Sequence, residues 1–75
     1  MKLVVNSALA QDKLIEFLDG YDKDGITLKY LDKKGLKLFF EFTGLTPGYE
    51  AQSTMKSIIR TQDWAKTLYF SISFE

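Results

Sequence analysis

Hydrophobic and polar positions along this chain follow two periods, and the switches between them predict its elements. Residues 2–6, KLVVN, form a short β-branched apolar run and read as a strand. Ser7 follows as a candidate helix cap. Ala10, Leu14, Phe17, Leu18 and Tyr21 then recur at helical spacing, and Gly20 supplies a stop. Residues 26–31, ITLKYL, return to alternation, with Ile26, Leu28 and Tyr30 on one side. Residues 32–35, DKKG, predict a turn with glycine last. Residues 36–42, LKLFFEF, form the second arm of that hairpin, with Leu36, Leu38, Phe40 and Phe42 on one side. Residues 43–48, TGLTPG, lead into a second helix, with Thr46 as cap and Pro47 at the first helical position. Its inward face is Ala51, Met55, Ile58, Ile59 and Gln62. Residues 68–74, LYFSISF, close the series as a strand with Leu68, Phe70, Ile72 and Phe74 on one side.

The predicted order is β-α-β-β-α-β over a single domain spanning residues 1–75. With right-handed crossovers, the expected α+β fold is a four-stranded antiparallel sheet in strand order 4-1-3-2, both helices on one face. That is the ferredoxin-like arrangement. It hosts many unrelated functions and licenses none by itself.

Composition narrows the chemistry. The chain has no cysteine and no histidine, so disulfides, thiolate metal ligands and the usual general base are all missing. No cofactor or metal is expected. Ten basic residues balance ten acidic ones. The spread is uneven: residues 1–25 carry three lysines against five acids, and residues 26–45 carry four lysines against two. A zero net charge argues against nucleic acid as the first choice of ligand. The apolar run after Lys2 is too short for a signal peptide, and no stretch reaches the length of a membrane span. A soluble, cytoplasmic protein is expected, in keeping with the absence of cysteine.

Three stretches imitate functional motifs. DGYDKDG at 19–25 resembles a calcium loop, but setting Gly25 at the sixth position leaves Gly20 and Leu31 where two ligands belong. GLTPG at 44–48 resembles a phosphate cradle, but no Lys-Ser or Lys-Thr pair follows it. Ser7, Ser53, Ser57, Ser71 and Ser73 have no histidine to activate them. A copper-carrier domain of this size would show Cys-x-x-Cys after its first strand, where this chain has Asn6-Ser7-Ala8. An acylphosphatase would show an arginine in that loop, and the only arginine here is Arg60. Catalysis is not expected.

Phe39 is the position that the pattern leaves over. It lies between Leu38 and Phe40 and must point to the opposite side of the strand. The side away from the helices would then show Lys37, Phe39 and Glu41, with Lys2 and Val4, Lys29 and Leu31, and Tyr69 and Glu75 from the other strands. An apolar centre in a polar rim has the anatomy of an interface. The expected role is a small non-catalytic binding domain that contacts another protein, or itself, through this face. Two alternatives stand beside it: a partly exposed aromatic with no ligand role, since single exposed apolar residues are normal, and RNA or single-stranded DNA stacked on the same face, as RNA-recognition motifs do. Against the second, Val4 stands where an aromatic is wanted, Leu36 and Leu38 replace aromatics of that motif, and Glu41 would repel phosphate. Trp64, nine residues past Met55 and about 900° around the helix, would face away from the core unless the helix ends near Thr61 and the ring folds back.

Overall fold

The computed structural model describes residues 1–44, 46 and 48–75. Its elements are β1 (Lys2–Asn6), α1 (Gln11–Leu18), β2 (Asp22–Lys23), β3 (Ile26–Lys34), β4 (Lys37–Thr43), α2 (Tyr49–Arg60) and β5 (Ser71–Phe74), with one 3₁₀ turn at Asp63–Ala65. The strands form one antiparallel sheet in the order β2-β3-β4-β1-β5. Five strands stand where four were expected. The extra one arises because Asp24 and Gly25 both take left-handed φ values, 57° and 78°. That closes a two-residue turn of the I′ kind, and Asp22–Lys23 fold back on Ile26–Thr27. The calcium-like stretch is therefore a hairpin.

One face of the sheet carries the core. Leu3 and Val5 of β1, Ile26 and Leu28 of β3, Leu38, Phe40 and Phe42 of β4, and Ile72 of β5 are buried there. Both helices cover this face. α1 contributes Leu14 and Leu18, and α2 contributes Met55 and Ile59. Ala10, Phe17 and Tyr21 pack against the core while half-buried. The helical spacing thus marks the correct faces within each helix, but Gln62, expected on the inward face of α2, lies past the helix end at Arg60 and outside the core. No helix among the described residues is long and apolar enough to cross a membrane.

The helix starts differ from the expected ones. Ser7 is buried and donates its hydroxyl to the Leu9 carbonyl at 2.7 Å instead of capping α1. Ala10 takes the cap position in a left-handed conformation, φ 57° and ψ 29°. The Gln11 side-chain amide then ties the loop down, donating to the carbonyls of Ser7 at 2.8 Å and Gly35 at 3.1 Å. Gly48, not Thr46, takes the cap position of α2. Pro47 lies outside the described residues, and so does Leu45.

The end of α2 is fastened by Arg60. Its guanidinium donates to the carbonyls of Ala65 at 2.7 Å and Leu68 at 2.8 Å, and stacks over the Phe70 ring at 4.6 Å. The helix ends there, and Trp64 folds back as half-buried cover, edge-on to Phe17 with centroids 6.3 Å apart. Leu68 and Phe70 are buried but precede the strand, which begins at Ser71 and not at residue 68.

Candidate functional site

The open face is built mainly by β1, β3 and β4. β4 pairs with β1 so that Val4 lies opposite Phe39, Lys2 opposite Glu41, and Asn6 opposite Lys37. No helix among the described residues lies over these positions, since α1 and α2 pack against the other face. Val4 is nevertheless only 3% exposed, and it stands apart from the helix-side core. Its cross-strand neighbours are Phe39 on one side and Ser73 on the other. Phe39 is half-buried.

The hairpin supplies the rest, through a bulge that alternation alone does not predict. Tyr30 pairs with Phe40, yet Phe39 pairs with Asp32, so Leu31 is an extra residue in β3. Beyond it the strand continues to Lys34, and the turn is Gly35-Leu36, with Gly35 at φ 60°. A two-residue turn with glycine first is of the II′ kind, whose twist suits the hairpin. The expected turn at 32–35 is therefore strand for three of its four residues. Leu36, expected on the core side of the strand, sits in the turn, 53% exposed.

The extra residue changes which side chains reach the open face. Leu31 keeps its place there, 43% exposed, and Asp32 and Lys34 join it by pairing with Phe39 and Lys37. The outcome is a shallow hollow of about 300 Å³ lined by Lys2, Leu31, Asp32, Lys34, Phe39 and Glu75. Of the residues singled out from the sequence, Phe39, Leu31 and Lys2 line it, and Val4 supports Phe39 from the next strand. Asp32 and Lys34 escaped the sequence reading because a charged run ending in glycine looks like a turn.

Lys29, Lys37 and Glu41 lie on the same face outside the hollow. Glu41 takes an ion pair from the Met1 amino group at 3.2 Å, and its strand partners on either side are Lys2 and Lys29. One carboxylate thus stands among three cationic groups. Tyr69 is not brought to the site. It precedes β5, is 91% exposed, and stands by Leu9 and Leu36 around a separate hollow of about 460 Å³.

The lining is chemically mild. Two lysines, an aspartate and a glutamate ring two apolar side chains, which suits a complementary polar rim around an apolar contact. No cluster of three or more potential metal-ligating His, Cys, Asp or Glu side chains occurs among the described residues. The Ser7 hydroxyl is engaged with Leu9 as both donor and acceptor. Set against protein-family models, curated proteins and solved structures, the chain matches none.

Proposed function

We propose that this chain is a small non-catalytic binding domain that contacts another protein through the open face of its sheet, with Phe39 as the anchor. The observation that carries this is the seating of Phe39. It lies on the uncovered face, propped by Val4, beside an exposed Leu31 that the bulge holds in place. A few such residues usually dominate the binding energy of an interface, and the polar rim sets orientation. Lys2, Lys34, Asp32 and Glu75 form that rim. Nucleic acid is the weaker reading. Lys34 adds a cation beside Phe39, but Asp32 and Glu75 border the same hollow, and Val4 offers no stacking surface.

The fold reading behind this proposal is the ferredoxin-like one. It is supported by taking β2 as a two-residue addition at the edge, since the remaining strands then run β3-β4-β1-β5. A cytoplasmic setting is proposed from the cysteine-free composition.

The test is Phe39→Glu, with Leu31→Glu as its companion. Both should keep the circular dichroism of the parent chain, because neither side chain is part of the helix-side core. A protein recovered by the parent chain and lost by both variants is the expected result. Equal recovery by parent and variants would overturn the reading. Salt-sensitive binding of mixed single-stranded RNA or DNA pools that needs Phe39 would replace it with the nucleic-acid reading.

A further inference from the structure

The two edges of the sheet are built differently. On the β3 side, β2 already pairs with the first residues of the strand, a bulge interrupts it at Leu31, and Lys29, Asp32, Lys33 and Lys34 charge the remainder. These are the usual devices that keep an edge from pairing with another chain. β5 has none of them. Residues 71–74 read Ser-Ile-Ser-Phe, without charge or proline, and run in unbroken register against β1.

The ladder shows which backbone groups of β5 are left over. Lys2 and Glu75 exchange both backbone bonds, at 3.1 Å and 2.9 Å. Antiparallel bonding alternates along a strand, so Ser73 and Ser71 also turn their N–H and C=O groups toward β1. Ile72 and Phe74 therefore aim theirs out of the sheet, and β5 is the last strand on that side.

We propose that this edge pairs antiparallel with the β5 edge of a second copy of the chain, about a two-fold axis at Ser73. The strand is self-complementary in that register. Ser73 of one copy faces Ser73 of the other, and each Ile72 faces a Phe74. Each Ile72–Phe74 pair exchanges both of its backbone hydrogen bonds. On the helix side, Ile72 covers the part of Phe74 that a single copy leaves exposed. On the open side, Ser71 meets Glu75, so no like charges face each other. The two sheets join into one, and two open faces lie side by side. This pairing does not depend on the role proposed for Phe39.

A short strand pairing buries less than the ~800 Å² per partner of a standard interface, so the dimer forms with rising concentration. Sedimentation velocity over a concentration series should move the mass from 8.6 kDa toward twice that value. Over the same series, the Ile72 and Phe74 amides should gain hydrogen-exchange protection. Ser73 is exposed, so Ser73→Lys leaves the single chain folded and sets two positive charges face to face on the axis. It should weaken the dimer by up to about fivefold. Ser73→Glu should do the same, and mixing the two variants should restore pairing as a heterodimer. Phe39→Glu should leave this dimer intact. A single-chain mass at every concentration would overturn the proposal and leave the edge to an extended segment of a different protein. A Ser73→Lys dimer as strong as the parent's would overturn it too.

Discussion

Phe39 and Phe40 are consecutive in the chain and opposite in circumstance. Phe40 is fully buried between the sheet and the helices, edge-on to Tyr30 at 5.7 Å. Phe39 is half-buried on a face that no element among the described residues covers, against a single buried valine. The same side chain is structural on one side of the strand and available for contact on the other. The side that depends on the helices should therefore be sensitive to truncation in isolation, and the open side should be sensitive only when something is bound.

Phe40→Ala is the largest expected effect. Removing that ring from the core should cost about 3–5 kcal/mol, a large share of the stability of so small a domain. Denaturant unfolding followed by circular dichroism would read the loss directly. Undiminished stability would undo the assignment of the two faces.

Arg60→Ala comes next. The guanidinium closes the segment between α2 and β5 by bonding the Ala65 and Leu68 carbonyls and stacking on Phe70. Losing charge-assisted bonds of this kind should cost about 1.5–3 kcal/mol, visible as a lowered thermal midpoint. Arg60→Lys should recover only part of it, because an ammonium lacks the planar fork and the ring stacking.

Phe39→Ala should be the mildest, about 1–2 kcal/mol in the isolated chain, since the ring is only partly buried and lies outside the helix-side core. A loss as large as that of Phe40→Ala would mean that the open face is a second core and not a contact surface.

Strict periodicity made the helix side legible in the sequence. Leu28, Leu38, Phe40, Phe42 and Ile72 alternate as a buried face must, and Leu14, Leu18, Met55 and Ile59 follow helical spacing. The open side was legible only as far as alternation held. Phe39, Val4 and Leu31 fall where the period puts them. One inserted residue at Leu31 then carries Asp32 and Lys34 onto the face, and no periodic count contains that shift. Tyr69 failed for a related reason. Its stretch alternates like a strand, but Arg60 takes the Leu68 carbonyl and pins the segment, so pairing begins only at Ser71. Ser7 was misplaced because a hydroxyl that can cap a helix can equally close its own turn, as it does with Leu9.

The central claim is that the open face, with Phe39 at its centre, is where this chain meets a partner protein. Residue-resolved amide shifts of the labelled chain, titrated with a protein that it recovers, test that claim most directly. The account predicts that the largest changes fall on Lys2, Val4, Leu31, Asp32 and Phe39. Changes confined to the solvent side of α1 and α2, with Phe39 and Leu31 unmoved, would contradict it.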